Sequence, residues 1–197
     1  DTTGGPIAKY IIRYQDRLIL AGISGSPTKV TISGRYPLQE RFDWQAGGGD
    51  ILLEPDSGED ITGLSTYFSG SNQTIIVFKE KSVWELSLGT VTFGNTVILN
   101  PVYRLLTASQ GCSSHRSIIP VENDIMFSNL KGLYMLRYEP QLINVINANE
   151  LSAKIRPFFE GLTSADLKLA AGVYADKKYV LSFPVSKKTI VFDRERL

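Results

Sequence analysis

One β-strand pattern recurs four times along this chain of 197 residues, and that repeat limits the possible fold more than any other feature. The recurring strands read RLILAG from Arg17, TIIVFK from Thr74, DIMFSN from Asp124 and KYVLSF from Lys178. Their first residues therefore lie 57, 50 and 54 positions apart. A near-constant interval of this length is typical of proteins that repeat one supersecondary unit.

Each recurring strand lies between two further strands. In the first unit, YIIRY and the polar pair Gln15-Asp16 precede it, and KVTIS follows after a short turn that contains Gly25 and Pro27. β-branched and aromatic residues fill the strands, whereas Gly, Pro, Asn, Asp and Lys fill the turns. We therefore predict three antiparallel strands per unit, with room for a fourth. The units are expected near residues 13–33, 64–86, 117–137 and 170–193.

Units of four short antiparallel strands are characteristic of β-propeller blades. A β-sandwich is the alternative, because its strands also recur at short, regular intervals. The order of strands and turns recurs in phase here, which favours the propeller. We predict an all-β fold of repeated antiparallel, propeller-like blades, whole or partial, in a single domain over residues 1–197. The chain lacks an initiating methionine and its last unit stops after a third strand, so we expect a processed chain or a portion of a longer one.

Two stretches interrupt the repeat. Residues 35–60 contain three consecutive glycines, and five carboxylates lie between Asp50 and Asp60, so we predict an inserted loop at 35–60. Between the third and fourth units, NANELSAKIRPFFEGLTSADL predicts one short helix between blades. Asn147 or Asn149 is expected to cap this helix, and Pro157 to end or kink it.

Composition argues against several classes of protein. The 21 basic side chains balance 20 acidic ones, so no strong field favours a nucleic-acid backbone, and we expect only passing contact with DNA. One cysteine, one histidine and two methionines exclude a disulfide scaffold and a thiol-rich or histidine-rich metal site. No apolar run approaches the length of a membrane-spanning helix, and the N-terminus does not read as a signal peptide.

The segment GCSSH places Cys112 and His115 three residues apart, a spacing that suggests a nucleophile and its general base. Catalytic pairs of this type are usually assembled from distant segments and need a third group to orient the base. In extended chain, positions i and i+3 also point to opposite faces. We therefore predict that Cys112 is chemically unimportant.

Other candidate sites are weaker. The acidic stretch could hold calcium, but its spacing fits no EF-hand loop, so we interpret it as a solvated loop and leave cation binding open. Its carboxylates are those of Asp50, Glu54, Asp56, Glu59 and Asp60. Three arginines, Arg35, Arg104 and Arg116, could clamp an anionic sugar, although nothing in the sequence selects them above other arginines. Without a dinucleotide, phosphate-loop or metalloprotease motif, we predict no enzyme, no cofactor and no catalytic or metal-binding residue.

Aromatic and apolar residues give further expectations. Trp84 alternates with Leu86 on one strand face, which predicts a core position. Trp44, beside the glycines at 47–49, either packs within the chain or anchors a partner. Residues 74–78 are apolar at nearly every position, as in a strand covered on both faces. We expect a charge at Ile76 to disrupt folding, and a charge at residues 47–49 to be tolerated.

Taken in order along the chain, these motifs resemble those of propeller-forming tail proteins of tailed bacteriophages. The resemblance extends from Arg17 to Asp193, through RLILAG, TIIVFKEKSVWEL, GCSSHRSI, DIMFSNLKGLYML, YADKKYVLSFP and TIVFD. The family includes tail-nozzle and connector-stabilising proteins below the portal. The resemblance implies a structural virion protein, made in the host cytoplasm, that forms a rigid wall of a ring around the DNA channel. Its implied partners are other copies of itself and portal, adaptor or other tail proteins, without membrane insertion.

The alternative is that the chain has the function of another class of propeller protein. The chain would then be a carbohydrate-binding or glycan-cleaving protein, such as a receptor-binding tail protein or a protein like a sialidase or a lectin. That function requires paired carboxylates or exposed aromatic rings in a cleft. A wall protein requires instead extensive contacts between subunits.

Overall fold

The chain folds into consecutive blades of a β-propeller. The structure, a computed structural model, describes residues 5–69, 72–94, 96–139 and 145–194. These residues form four antiparallel sheets in chain order, which confirms the predicted all-β propeller over the sandwich. Blade 1 contains β1 (Ala8–Tyr14), β2 (Arg17–Ile23), β3 (Ser26–Ile32) and β4 (Gly49–Leu52). Blade 2 contains β5 (Ile61–Ser69), β6 (Asn72–Lys79), β7 (Val83–Phe93) and β8 (Thr96–Thr107).

The other two blades differ in strand number. Blade 3 contains β9 (Ile119–Val121), β10 (Asp124–Asn129), β11 (Gly132–Glu139) and β12 (Val145–Glu150). Blade 4 contains β13 (Ala171–Ala175), β14 (Lys178–Phe183) and β15 (Lys188–Asp193). Within the described residues this sheet therefore has three strands, as the sequence predicted. The recurring strands begin at Arg17, Asp124 and Lys178 as predicted, and at Asn72, two residues before the predicted start, in blade 2.

Tight turns join the first two strands of several blades. Asp176 and Lys177 both have positive φ, 49° and 60°, between β13 and β14. Two consecutive residues in this conformation match the right-handed twist of the flanking strands. Gln15 and Glu122 also have positive φ, of 53° and 55°, in the corresponding turns of blades 1 and 3. Turn chemistry thus sets the hairpin register at equivalent places in the repeat.

The predicted inserted loop at 35–60 is partly wrong, because it contains the fourth strand of blade 1. β4 pairs with β3 from Ile32 opposite Gly49 to Lys29 opposite Leu52. The expected tolerance of a charge at 47–49 does not extend to Gly48. A Cβ added at Gly48 would lie 2.6 Å from the carbonyl oxygen of Ile32, so a side chain does not fit there.

The helical segment also differs from its prediction. Asn147 and Asn149 cap no helix, because both lie in β12. Helix α1 (Arg156–Glu160) contains Pro157 in its first turn, where the fixed φ of proline is favourable and no amide bond is lost. Helix α2 (Ser164–Lys168) begins with a capping box in which the side chains of Thr163 and Asp166 bond to each other's backbone amides.

Hydrophobic cores join consecutive blades. Side chains of β6 alternate between two of them: Ile75 and Val77 enter the core between blades 1 and 2, whereas Ile76 and Phe78 enter the core between blades 2 and 3. All four are completely buried, which confirms the predicted two-sided strand. Trp84 and Leu86 lie together in the first core, also as predicted. The side chain of Trp44 lies outside the described part of the structure, so its predicted role stays untested.

A third core packs blade 3 against blade 4 and the two helices. In the described ranges, no hydrophobic core joins blade 4 to blade 1. Helices of a length and apolarity that would cross a membrane are also absent from these ranges.

Candidate functional site

A short segment between blades 2 and 3 connects all four blades. We call residues 111–118 the hub segment; it contains the 3-10 turn His115–Ser117 and the GCSSH motif. Its first residue must be glycine, because a Cβ on Gly111 would lie 2.4 Å from the carbonyl oxygen of Lys79. That oxygen belongs to backbone and cannot rotate away. The close approach locks the hub segment against the end of β6.

Backbone hydrogen bonds tie the hub segment to the blades on either side of it. The amide of Cys112 donates to the carbonyl oxygen of Lys79 in blade 2, with an N to O distance of 2.9 Å. The next amide, of Ser113, donates to the carbonyl oxygen of Ser128 in blade 3 at 3.1 Å. The segment therefore extends the hydrogen bonding of two sheets at once.

Side chains connect the hub segment to the first and last blades. The imidazole of His115 packs against the ring of Tyr10 in blade 1, with ring centroids 4.9 Å apart. The buried hydroxyl of Tyr179 in blade 4 donates to the carbonyl oxygen of Ser117 at 2.8 Å. Residues more than sixty positions apart in sequence thus meet at this segment.

The predicted nucleophile candidate is a buried thiol. The Sγ atom of Cys112 lies 3.2 Å from the carbonyl oxygen of Ser114 and 3.5 Å from the hydroxyl of Ser117. Burial raises the pKa of this thiol to about 11, which keeps it in the unreactive protonated form. Burial also lowers the pKa of His115, whose Nδ1 is enclosed without a hydrogen-bond partner. The described bonds of the thiol do not include His115, so this arrangement does not form a nucleophile and base.

The acidic stretch is organised by a lysine that the sequence analysis did not select. Lys79 ends β6 and is fully buried. Its Nζ donates to the carbonyl oxygens of Leu53 at 3.0 Å and Glu54 at 3.3 Å, and to the hydroxyl of Ser57 at 2.6 Å. The loop thus surrounds a protein ammonium group with oxygen atoms. A lysine at the end of the apolar strand TIIVFK was the available signal, but such a residue normally indicates the solvent-exposed end of a strand.

The carboxylates around this ammonium group are used locally. Asp50 forms an ion pair with Lys29 at 3.1 Å, and Glu59 accepts hydrogen bonds from the amide of Lys81 and the hydroxyl of Ser82. Across the described residues, no group of three or more His, Cys, Asp or Glu side chains could hold a metal ion.

A surface cleft lies between blades 2 and 3. Two adjoining cavities of about 400 and 340 Å³ share Ser109, Leu130 and Lys131 in their walls. We call their union the inter-blade cleft. Lys81 and Glu80 line one part of it. The charged residues of the other part are Lys131, Glu150, Arg156 and Glu160.

The inter-blade cleft contains three carboxylates, those of Glu80, Glu150 and Glu160, and the glycan-cleaving function would require a facing pair of them. The carboxylate of Glu150 is bonded to the guanidinium group of Arg156, with 2.7 Å between Nη2 and Oε2, whereas Glu160 is exposed. Tyr134 is the aromatic residue among those that line the cleft, and its side chain is buried. The cleft walls therefore offer no exposed ring on which a sugar could stack.

The three candidate arginines lie on different elements. Arg35 follows β3 and lies 3.8 Å from the carboxylate of Asp16. Arg104 lies on β8, paired with Glu85, and Arg116 is exposed in the hub segment. The structure provides each with its own surroundings and does not place them around one cleft.

A comparison of the sequence with models of protein families finds none that matches. A comparison with curated proteins also finds no match. The functional argument therefore depends on the fold, the hub segment and the clefts.

Proposed function

We propose that this chain is a structural component of a tailed-bacteriophage virion, in the tail nozzle, the adaptor or the connector region. Copies of it form a rigid wall of a ring around the DNA channel. The observation that carries the proposal is the propeller whose four blades all contact the hub segment. The order of motifs along the chain resembles that of phage tail propellers, and this resemblance supports a location in the phage tail.

Rigidity is the property that this proposal requires, and the packing supports it. Strand β6 of blade 2 is buried on both faces from Thr74 to Lys79, so a side chain there has no alternative position in solvent. Groups that could have been reactive serve the fold instead. The ammonium group of Lys79 holds a loop, and the thiol of Cys112 fills part of the core between blades 2 and 3.

The proposal includes its partners and its location. Portal, adaptor or other tail proteins would contact the wall from outside, and DNA would pass through without specific binding. The near-equal numbers of basic and acidic side chains support a passage that does not hold a phosphate backbone tightly. The protein is made in the host cytoplasm and resides in the virion.

Immunogold labelling tests this function. Antibody raised against the purified chain is expected to label tailed particles from the culture that carries the gene, at the tail or at the junction of head and tail. In particles from cells that carry only an Ile76→Asp gene, the label should be lost, because the buried charge destabilises the blade. Cells with a Thr90→Asp gene supply the matched control, since Thr90 is exposed on β7 of the same blade.

The carbohydrate alternative predicts a different outcome. Unlabelled particles, together with cleavage of an oligosaccharide by the purified chain, would contradict the structural proposal. The inter-blade cleft would then be the site to change. Loss of the cleavage in a Glu150→Gln, Glu160→Gln variant that remains folded would establish the glycan enzyme in its place.

A further inference from the structure

The last two strands of blade 2 continue beyond the rest of their sheet. Strand β7 pairs with β6 only as far as Leu86, whereas its pairing with β8 continues to Phe93 opposite Thr96. We call this extension, residues 87–94 and 96–102, the ribbon. Strand β8 has twelve residues, whereas the fourth strands of blades 1 and 3 have four and six. Within the described residues, the ribbon is therefore a two-stranded extension that blades 1 and 3 lack.

The outer edge of β8 is open along the ribbon. Proline occurs in an edge strand where its nitrogen faces away from the neighbouring strand, which fixes the direction of Pro101. Backbone groups alternate in direction along a strand, so the amides of Leu99 and Val97 face outward as well. In the described ranges, no other strand pairs with β8 on this side, and no further backbone hydrogen bond reaches these two amides. They can therefore bond to a strand of another molecule.

The edge of β7 is open as well. Leu99 points its amide away from β7, so its partner across the ribbon, Thr90, points its own amide away from β8. The carbonyl oxygen of Leu86 supports this direction, because it accepts a hydrogen bond from the hydroxyl of Thr74 on β6 at 3.1 Å. Thr90 is exposed and lies four residues farther along β7, beyond the part that pairs with β6. Its amide therefore has no strand partner among the described residues.

The ribbon carries no charge. None of the 18 residues from Leu86 to Tyr103 is Asp, Glu, Lys, Arg or His. Soluble proteins normally protect open strand edges with charged side chains, above all lysine. The other uncharged run of this length, residues 61–78, forms β5 and β6, which pack in the cores. An open edge without charge thus indicates a surface that is covered in the assembled protein.

The backbone of the ribbon indicates what covers it. Lipid hydrocarbon cannot bond to open amides and carbonyl groups, so a membrane would leave both edges unpaired. A second ribbon supplies what each edge lacks. When two ribbons lie side by side and point in the same direction, β8 of one copy lies next to β7 of the other, and these strands run antiparallel. Neither strand brings a charge into the joint, so no charged group loses its hydration there.

We propose that copies of this chain associate through the ribbon, with the outer edge of β8 in one copy paired to the open edge of β7 in the next. This inference rests on the proposed ring assembly and names the strands that close it. Each copy uses two different edges, so the contact is heterologous and forms a ring if the rotation between copies closes. The ribbons of such a ring form one continuous antiparallel barrel, to which each copy contributes two strands and in which no edge stays open. Pro101 has no amide to donate, so the pairing ends there and the barrel extends from Pro101 to the tip of the ribbon.

Sedimentation velocity of the full 197-residue chain tests the proposal. The wild-type chain should associate as its concentration rises to about 100 μM, where a contact with a Kd of about 10 μM is well populated. Thr90→Pro and Val97→Pro each remove one outward amide and should weaken association about tenfold or more.

Thr90→Asp is the matched control, because it keeps the amide and changes only a side chain on an exposed face of the ribbon. The added carboxylates of neighbouring copies would lie two strand spacings, about 10 Å, apart. Salt at about 0.15 M screens charges over that distance, so the control should associate within about threefold of wild type.

Two measurements guard against misfolding of the variants. Circular dichroism shows whether each proline variant is folded. Amide hydrogen exchange of the wild-type chain needs no variant: the amides of Thr90 and Leu99 should exchange more slowly at about 100 μM than at about 1 μM, because pairing between copies protects them. Equal exchange rates at both concentrations would contradict the proposal.

Mixing the variants tests the pairing of the two edges. The Thr90→Pro chain keeps its β8 edge, and the Val97→Pro chain keeps its β7 edge. Their equimolar mixture should therefore form a one-to-one pair and stop there. A wild-type chain that stays monomeric would overturn the proposal, whether or not it floats with phosphatidylcholine vesicles, and so would proline variants that associate as wild type does. In each of these cases rings could still form through other surfaces, and immunogold labelling would still decide the proposed function.

Discussion

Replacing Lys79 by methionine removes a buried ammonium group while it keeps a side chain of similar length. Three oxygen atoms lose one donor in this variant: the carbonyl oxygens of Leu53 and Glu54 and the hydroxyl of Ser57. The carbonyl oxygen of Glu54 still accepts from the amide and the hydroxyl of Ser57. The bond to Leu53 is buried, whereas the other two are partly buried. Water can therefore replace the ammonium group at two of the three positions.

The expected loss follows from these three bonds. A buried acceptor left without a donor costs about 1–3 kcal/mol, and the two acceptors that water can reach add smaller amounts. Removing a buried charge also relieves its desolvation, which offsets part of the loss. This relief is small, because the three oxygen atoms replace most of the hydration that the ammonium group loses on burial. We therefore expect the free energy of unfolding to fall by about 2 kcal/mol.

Urea unfolding followed by tryptophan fluorescence measures this change. Lys81→Met is the matched control, since Lys81 is exposed two residues away and donates to Glu59 through its backbone amide, which the substitution keeps. The control should unfold within about 0.5 kcal/mol of wild type, as surface changes usually do. If Lys79→Met is as stable as the control, or more stable than wild type, the oxygen atoms of the loop do not stabilise the fold as we infer.

Three further changes test other parts of the structure. Ile76→Asp should lower the free energy of unfolding by about 3–5 kcal/mol in a denaturant titration, because it buries an unpaired charge, whereas Thr90→Asp should change it little. Gly111→Ala should cost about 2–3 kcal/mol in the same titration through overpacking, and Gly161→Ala, whose added Cβ would lie at least 3.5 Å from its neighbours, should be tolerated. Cys112→Ser should still fold, which circular dichroism checks. Because the folded thiol has the higher pKa, wild type should lose about 2–3 kcal/mol more than Cys112→Ser in unfolding titrations between pH 9 and 11. An equal loss in both chains would contradict this assignment.

Strands buried on two faces could be predicted from the sequence, and so could the first strand of each sheet, but the fourth strands β4 and β12 could not. TIIVFK is recognisable because both of its faces lie in cores, so its apolar residues are continuous. β4 has four residues and begins with a glycine, and β12 reads VINANE, whose Asn residues suggest a helix cap. Their partners across the sheet, and not their own composition, make these two segments strands.

The candidate site could be predicted only in part, because its interactions connect distant residues. The GCSSH motif was noticed for its thiol and imidazole, yet the imidazole of His115 packs against Tyr10 in the first blade, and Ser117, two residues after the motif, accepts a hydrogen bond from Tyr179 in the last. No local pattern encodes such a contact. The role of Lys79 depends likewise on a loop more than twenty residues earlier in the chain.

The hub segment has a consequence for how the chain unfolds. In a linear array of repeats, each repeat contacts only its neighbours, and the ends can fray while the middle persists. Here the first and the fourth blades both contact residues 111–118, so opening either one removes bonds or ring contacts from the segment that holds the other two. Loss of one blade therefore weakens all of them. Amide protons in the middle strands of all four blades should exchange with solvent through the same global opening, with similar protection in each.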